Sequence, residues 1–334
     1  MSSTLPATMD VIEMTGPGGP EVLKLARRPV PVVKPNEVLI EVEAAGVNGP
    51  DLMQRKGLYP APPGASDLLG LEVSGEVVAA GAEVRRWKPG DRVTALTNGG
   101  GYAQYCPVDA EHCLPIPGGV SVRDAAGLPE TYFTVWSNLF IGVGLKAGET
   151  LLVHGGAGGI GTTAIQLGKA FGCKVIATDS PDARCAICRE LGADRVIDYR
   201  QQDFVEEVRK EGGANVILDI VGGANVERNF KAAAHDARIV QLAFALGSRV
   251  DINLMPLMLK RLVYTGSTLR TRPREFKART ARELEEKVWP EIARGRIRVV
   301  TQHTFPLGEA AAAHALMESS RHTGKILLLV KQTA

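Results

Sequence analysis

Five glycines follow a short apolar run near the middle of the chain, in the segment LLVHGGAGGIG at 151–161. Three of them have the spacing GxGxxG, and the segment TTAIQLGKAFG behind them has the periodicity of a helix. At a strand-to-helix turn this spacing allows a tight bend, close approach of a pyrophosphate to the backbone, and close packing of helix on strand. The N–H groups at the positive end of the helix then bind the anion. The predicted dinucleotide-binding residues of this turn are Gly156, Ala157, Gly158, Gly159, Ile160 and Gly161.

A second strand pattern, CKVIATD, follows the helix at the spacing of a βαβ unit. This context favours dinucleotide binding over an ordinary glycine-rich turn. Its last residue, Asp179, comes 18 residues after Gly161. A carboxylate at that place usually accepts a hydrogen bond from the ribose hydroxyl of NAD and repels a 2′-phosphate.

Alternating strand and helix patterns position the turn. The first third of the chain is rich in short Val-containing runs between Pro and Gly clusters, and the tail after about residue 270 ends in the strand-like KILLLVKQ. Between them, the fold class predicted is α/β, with a doubly wound, six-stranded parallel sheet. The predicted strands are 150–154, 174–178, 195–197, 216–219, 238–242 and 262–268. The predicted helices are 161–171, 181–191, 203–210, 225–234 and 254–260.

Composition limits the function classes. The 334 residues suffice for two domains, and 45% hydrophobic with 23% charged residues is ordinary globular composition. With 39 Lys and Arg against 37 Asp and Glu, the net charge of +2 does not indicate a nucleic-acid partner. We find no signal-peptide pattern and no run of about 18 apolar residues, so no membrane span is expected. Five cysteines, an odd and sparse set, favour a reducing compartment, and we expect a cytoplasmic protein.

Several long segments, in the same order along the chain, resemble the zinc-independent quinone oxidoreductases of the medium-chain dehydrogenase/reductase superfamily. The likeness is greatest to the p53-inducible quinone oxidoreductase type and its bacterial relatives. The segments are GVNGPDLMQRKGLYPAPPGASDLLGLEVSGEV, PETYFTVWSNLF, VHGGAGGIGTTAIQLGKAFG and TGSTLR. The resemblance implies a GroES-like β-rich catalytic domain at 1–124, a Rossmann NAD(P)-binding domain at 125–268, and a return to the catalytic domain at 269–334. It also implies a homodimer or a dimer of dimers.

The resemblance places the catalytic zinc ligands of zinc-dependent relatives at Asn48, Leu71 and Glu130. Leucine cannot bind a metal, and a catalytic zinc needs about three protein ligands. Cys185 and Cys188 form a CxxC with no second pair, and we expect them to be thiols on a helix surface. No bound metal is therefore expected.

Without a metal to polarise it, the substrate must itself accept hydride readily, as a quinone does. The resemblance makes Asn48 and Tyr59 the candidate catalytic residues, as hydrogen-bond donors to the acceptor oxygen. The alternatives are a turn role for Asn48 in GVNGP and packing of Tyr59 on the loop APPG. We expect Asp51 to be a local structural acceptor and Glu72 to form an ion pair.

Further cofactor contacts are implied by the resemblance. Thr134 is expected at the nicotinamide carboxamide, and Val221 and Gly222 follow a strand end. Arg184 and Tyr199 match residues that line a 2′-phosphate pocket, whereas Asp179 favours NADH unless it pairs with Arg184. NADPH is favoured by resemblance and NADH is left open. The predicted cofactor residues outside the turn are Thr134, Asp179, Ser180, Arg184, Tyr199, Val221 and Gly222. Lys325, in the segment HTGK, is expected at the surface, and the alternative is an approach to the cofactor from the tail.

The function predicted is therefore NAD(P)H-dependent, zinc-independent reduction of a small-molecule quinone. One alternative is NADPH-dependent reduction of an α,β-unsaturated carbonyl, with Tyr59 as proton donor. A second alternative is a cofactor-binding module without enzymatic activity.

Overall fold

The computed structural model describes residues 5–331, which contain strands and short helices. The strands are β1 (Thr8–Met14), β2 (Leu23–Pro29), β3 (Glu37–Val47), β4 (Glu72–Ala80), β5 (Arg92–Leu96), β6 (Tyr105–Asp109), β7 (Cys113–Pro115), β8 (Thr150–His154), β9 (Lys174–Asp179), β10 (Arg195–Asp198), β11 (Ala214–Asp219), β12 (Ala233–Gln241), β13 (Val263–Gly266), β14 (Thr301–Pro306) and β15 (Lys325–Leu329).

The helices are short. They are α1 (Gly49–Arg55), α2 (Val122–Ala125), α3 (Pro129–Val135), α4 (Gly159–Ala170), α5 (Asp182–Glu190), α6 (Phe204–Lys210), α7 (Asn225–Ala232), α8 (Met255–Leu259), α9 (Arg274–Glu283), α10 (Trp289–Ala293) and α11 (Ala310–Glu318). π-Helical segments, Trp136–Gly142 and Leu284–Val288, extend α3 and α9, and three 3-10 turns are Pro20–Val22, Ala110–His112 and Leu307–Glu309. No helix within residues 5–331 has both the length and the apolar character to span a bilayer.

Contacts divide the chain into two compact units. Unit 1 comprises Met1–Phe133 with Arg270–Ala334, and unit 2 comprises Thr134–Leu269. The sequence analysis placed the corresponding boundaries at 124/125 and 268/269. Unit 1 is thus built from both ends of the chain.

Unit 2 contains the parallel sheet. Its six strands lie in the order β10-β9-β8-β11-β12-β13, and every neighbouring pair is parallel. When these six strands are numbered from 1 to 6 along the chain, beginning with β8, their order in the sheet is 3-2-1-4-5-6. This is the order of a Rossmann fold, so the predicted fold class is confirmed. The central strand β8 has no solvent-exposed apolar side chain, because helices cover both faces of such a sheet.

Unit 1 is β-rich. A seven-stranded sheet has the order β14-β15-β3-β4-β5-β7, with β6 also paired to β3, and β1 and β2 form a separate ribbon. The C-terminal strand β15, which the sequence analysis recognised in KILLLVKQ, pairs antiparallel with β3. Its residues Ile326 and Leu328 belong to the same apolar core as Val42 and Val47 of β3. The tail is therefore an integral part of this sheet.

A buried polar cluster fixes helix α1, whose two ends lie near Asn48 and Tyr59. Arg55, at the end of α1, has no exposed surface, and its guanidinium lies 3.2 Å from His314 Nδ1 and 2.7 Å from Glu318 Oε1. His314 Nε2 lies 3.0 Å from the hydroxyl of Tyr102. Burial and the charge of Arg55 lower the pKa of His314 to about 3, so the imidazole is neutral. Because Arg55 only donates, Nδ1 accepts and Nε2 carries the proton.

Candidate active site

The glycine turn joins β8 to α4 in unit 2. At Gly161, a Cβ atom would lie 2.2 Å from the carbonyl oxygen of Gly155, so the helix packs directly on the turn. At Gly158 the nearest atom to such a Cβ is 3.5 Å away, which leaves room above the backbone. The first N–H groups of α4 have no acceptor within the helix. The turn therefore has the open space and the N–H groups that binding of a pyrophosphate requires, and the predicted contacts stay a prediction.

Asp179, the last residue of β9, is held by both the turn and a nearby cation. Its Oδ2 accepts a hydrogen bond from the N–H of Ala157 at 2.8 Å. Its Oδ1 accepts from the N–H of Ser180 at 2.8 Å and from Nε of Arg184 at 2.7 Å. Of the alternatives that the sequence left open, the structure has the ion pair between Asp179 and Arg184, which partly neutralises the carboxylate at this edge.

The other predicted residues of unit 2 lie on loops after the strands and, for Thr134, on helix α3. Val221 and Gly222 follow β11 and donate their N–H groups to Asp219 Oδ1, at 2.6 and 3.1 Å. Tyr199, 51% exposed, follows β10, and Thr134 is half-buried on α3. Since β9, β8 and β11 are adjacent and parallel, their carboxyl ends bring the turn, Asp179 and the 221–222 loop to one edge of the sheet.

A buried hydrogen-bond chain that the sequence analysis missed braces this edge. His154 Nδ1 lies 2.8 Å from Thr178 Oγ1, and His154 Nε2 lies 2.8 Å from Asn229 Oδ1. Asn229 in turn donates Nδ2 to Asp219 Oδ2 at 2.9 Å. Burial lowers the pKa of His154, which keeps the ring neutral and able to accept from Thr178. The sequence carries a signal for this hydrogen-bond chain, because each of three strand patterns has a polar residue at its end.

In unit 1, Asn48 follows the last residue of β3 and precedes α1. The side chain is 4% exposed, and Nδ2 donates to Glu72 Oε1 at 2.9 Å. Its Oδ1 accepts from Lys325 Nζ at 2.5 Å. Its backbone N–H donates to Asp51 Oδ2 at 2.9 Å, while Asp51 Oδ1 accepts from the N–H of Gly70. Asn48 is therefore part of a charged, buried cluster as well as of a turn.

The surface position expected for Lys325 is wrong. The residue is 5% exposed, and its Nζ lies 2.6 Å from Glu72 Oε1. It is the first residue of β15, in the middle of the sheet, and the carboxylate compensates the buried ammonium. Glu72 forms the ion pair that the sequence analysis expected.

The residues at the zinc-ligand positions do not fit a metal. Leu71 is a buried hydrocarbon, and the ammonium of Lys325 occupies the acceptors of Asn48 and Glu72. Burial and the neighbouring Glu72 raise the pKa of Glu130 to about 8, which favours a protonated carboxyl at neutral pH. Over residues 5–331, His, Cys, Asp and Glu form no group of three or more that could hold a metal ion.

The Cys185–Cys188 pair is not on the surface, contrary to expectation. Both thiols are fully buried, because α5 turns this face toward the sheet. Cys188 Sγ lies 2.7 Å from where a Cβ of Gly156 would be, so it packs beneath the glycine turn.

Tyr59 lies in the segment after α1 and is half-buried. The guanidinium carbon of Arg270 is 5.8 Å from its ring centroid, within range of a cation–π contact. Arg270 is 6% exposed and donates to Gln54 Oε1 at 2.7 Å and to the carbonyl oxygen of Asn98 at 2.9 Å. The sequence analysis quoted Arg270 in a motif without assigning it a role.

A cavity of about 590 Å³ also lies in unit 1, beside loops 62–66 and 97–100. Neither Asn48 nor Tyr59 lines it. We therefore do not place the reaction there.

Comparison with known proteins agrees with these features. The family model "Zinc-binding dehydrogenase" matches residues 159–286, and "Alcohol dehydrogenase GroES-like domain" matches residues 34–118. The quinone oxidoreductase of Sus scrofa is 33% identical over 330 residues, which cover 96% of this chain and 98% of that protein.

Two solved structures are informative. The quinone oxidoreductase of Escherichia coli complexed with NADPH has a TM-score of 0.84 and 32% identity, covering 96% of this chain and 100% of that one. The CurK enoyl reductase has a TM-score of 0.86 at 24% identity, covering 98% and 100%, which is a likeness of fold alone.

Two glycine substitutions should separate binding from folding. We expect Gly158→Ala to unfold like the wild type but to raise the dinucleotide Kd at least tenfold, because its methyl group enters the open space of the turn. Gly161→Ala should lower stability by about 1–3 kcal/mol, because its methyl group meets backbone. Urea unfolding and fluorescence titration with NADPH and NADH measure both effects.

Gly308→Ala is the matched control, since a Cβ there meets nothing within 4 Å. Wild-type affinity in Gly158→Ala would show that the pyrophosphate binds elsewhere.

Proposed function

The chain belongs to the medium-chain dehydrogenase/reductase superfamily and is an NAD(P)H-dependent oxidoreductase of it, and on this premise we propose that its substrate is a quinone. The observation that carries the proposal is the environment of Asn48, where a buried amide is held by an ammonium and a carboxylate in place of metal ligands. Quinones accept hydride without a Lewis acid, and quinone oxidoreductases are similar over nearly the whole chain.

The bound reduced nicotinamide supplies the hydride. We propose that the turn Gly156–Gly161 and the first N–H groups of α4 hold its pyrophosphate. Around the adenosine ribose, the proposed contacts are those of Asp179, Ser180, Arg184 and Tyr199. On the nicotinamide side, they are those of Thr134, Val221 and Gly222.

Asn48 and Tyr59 are the proposed donors to the acceptor oxygen. The quinone would take a hydride, which is one proton with two electrons, from the cofactor and a second proton from solvent to give the hydroquinone. One N–H of Asn48 is committed to Glu72, and the other has only a 3.5 Å approach to the carbonyl oxygen of Gly46. That second N–H can therefore meet the developing negative charge, a contribution of about 3 kcal/mol in comparable sites.

Reduction of an α,β-unsaturated carbonyl is the second candidate. It is favoured by Tyr59, whose phenol lies next to Arg270 and carries a proton that alkene reduction requires. Donors aimed at a quinone oxygen would equally polarise a carbonyl oxygen.

Turnover with matched acceptors tests these candidates. We expect NAD(P)H oxidation by 1,4-naphthoquinone, with kcat/KM at least a hundredfold above that for a 2-alkenal or an enoyl thioester. Tyr59→Phe should lower kcat/KM for the quinone about 10- to 100-fold, because one donor is lost, while the cofactor Kd stays unchanged. The control is Tyr105→Phe, which removes the hydroxyl of a half-buried tyrosine on β6.

Reduction of the alkene alone would refute the quinone assignment. Tight cofactor binding without oxidation by any acceptor would favour the non-enzymatic module.

The cofactor we propose is NADPH, with NADH as the competing choice. The ion pair with Arg184 reduces the repulsion that Asp179 would exert on a 2′-phosphate. In Asp179→Asn, which preserves shape, we expect the ratio of Kd for NADPH to Kd for NADH to fall at least tenfold, because a negative charge is removed and Arg184 is released. Arg184→Gln should raise the ratio. Calorimetric titration measures it, and an unchanged ratio in both variants would rule out a role for this pair in cofactor choice.

A homodimer is the proposed assembly, alone or as half of a tetramer. Among residues 5–331, the edge strand β13 pairs only with β12, and all four residues of β13 are exposed. This strand and the 20 residues that precede it in the chain include the exposed apolar side chains Phe244, Leu246, Val250, Leu254, Met255, Met258, Leu259, Val263 and Tyr264. An open edge beside an apolar patch favours covering by another chain.

Light scattering tests the dimer. We expect at least twice the 35.6 kDa of one chain for the wild type, and a single-chain mass for Val263→Lys. Val32→Lys, on an isolated residue that is 90% exposed, should leave the mass unchanged. A wild-type monomer would contradict the proposal.

A cytoplasmic location is also proposed. All five cysteines are free thiols, which suits a reducing compartment.

A further inference from the structure

Three buried polar side chains of unit 1 form a closed triangle. Lys325 Nζ lies 2.5 Å from Asn48 Oδ1 and 2.6 Å from Glu72 Oε1, and Asn48 Nδ2 lies 2.9 Å from the same Glu72 oxygen. None of the three is more than 5% exposed. A buried ion pair is weak evidence for a stabilising role, because desolvation of the two charges offsets their attraction.

The sheet builds this triangle from three adjacent strands. Lys325 is the first residue of β15, and Glu72 is the first residue of β4. Both strands flank β3 in antiparallel register, so their first residues lie beside the end of β3, where Asn48 follows. Strand pairing therefore places the cation and the anion on the two sides of the amide.

Two glycines leave room for the long side chains. A Cβ at Gly46 would lie 1.9 Å from Glu72 Oε1, and a Cβ at Gly127 would lie 3.1 Å from Lys325 Cγ. Any other residue at position 46 would displace the carboxylate. The backbone is thus shaped around the ion pair.

The charges permit one orientation of the Asn48 amide. An ammonium only donates hydrogen bonds, and a carboxylate only accepts them. The amide oxygen must therefore face Lys325 and the amide nitrogen must face Glu72. Rotation of the amide by 180° would turn its N–H donors toward the ammonium of Lys325 and its oxygen toward the carboxylate of Glu72. In a buried site both contacts are unfavourable.

We propose that Lys325 is a positioning residue of the reduction, which acts with Glu72 to fix the direction of the Asn48 N–H toward the acceptor oxygen and places its positive charge at the oxygen of the same amide. The inference rests on the proposed function of Asn48. It assigns to an internal ammonium part of the polarising role that a metal has in zinc-dependent relatives.

The test removes the charges without leaving one unpaired. Lys325→Met alone buries an uncompensated Glu72, so it is studied beside the double variant Lys325→Met/Glu72→Gln. In the double variant we expect kcat for the quinone to fall at least tenfold, with KM and the cofactor Kd within twofold of wild type. The loss should increase across a series of quinones of decreasing reduction potential, since these depend more on stabilisation of the oxygen. A structural role would lower all of them equally.

A double-mutant cycle with Asn48→Ala tests whether Lys325 acts through the amide. Adding Asn48→Ala to the Lys325→Met/Glu72→Gln variant should lower kcat by less than threefold, because the amide is already misoriented. The matched control is Lys331→Met/Glu41→Gln, which removes a solvent-accessible ion pair between β3 and the residues after β15 and should leave kcat unchanged.

Three results would each overturn the inference. They are a kcat of the Lys325→Met/Glu72→Gln variant within threefold of wild type, an equal loss of kcat for all quinones, and losses that multiply fully when Asn48→Ala is added. Failure of the proposed function is distinguishable, because it is seen in the wild type as lack of quinone turnover. If the wild type reduces alkenes instead, the same variants and criteria apply with that substrate.

Discussion

The carboxylate of Glu72 holds together the chemically important part of unit 1. It has no exposed surface and accepts hydrogen bonds from three separate segments: the Asn48 amide, the Lys325 ammonium and the N–H of Glu130 at 2.8 Å. A buried anion is tolerated only where several donors surround it. The end of β3, the start of β15 and the start of α3 are therefore constrained to meet at this oxygen pair.

Buried carboxylates have a similar role in unit 2. Asp179 ties the glycine turn to the end of β9, and Asp219 ties the 221–222 loop to the end of β11. Both accept hydrogen bonds from backbone N–H groups of loops that belong to the proposed dinucleotide site. These hydrogen bonds restrain the loops without a ligand, which would lower the entropy lost on binding.

In the proposed reaction, donors of fixed direction take the place of a metal. A metal polarises an oxygen through its charge, whereas hydrogen-bond donors do so only when their direction is fixed. The environment of Asn48 supplies that direction through two neighbouring charges, and α1 is anchored by Arg55 with no exposed surface. Orientation and charge are supplied by different residues rather than by one ion.

The sequence alone determined the features that depend on local pattern. The glycine spacing, the six strands of the Rossmann sheet and the position of Asp179 at a strand end follow from periodicity and from turn chemistry, which act over a few residues. The ion pair of Asp179 and Arg184 was an open alternative, because a side chain at the end of β9 and one in the following helix α5 can either pair or diverge.

Only the tertiary structure decided the partners of Asn48. Lys325 is 277 residues away along the chain and resembles a surface lysine in its own segment. Its burial follows from the pairing of β15 with β3, a long-range register that local pattern does not specify. The chain of His154 and Asn229 likewise needs three strand ends side by side. Contacts of this kind depend on which strands become neighbours, and that is a property of the folded sheet.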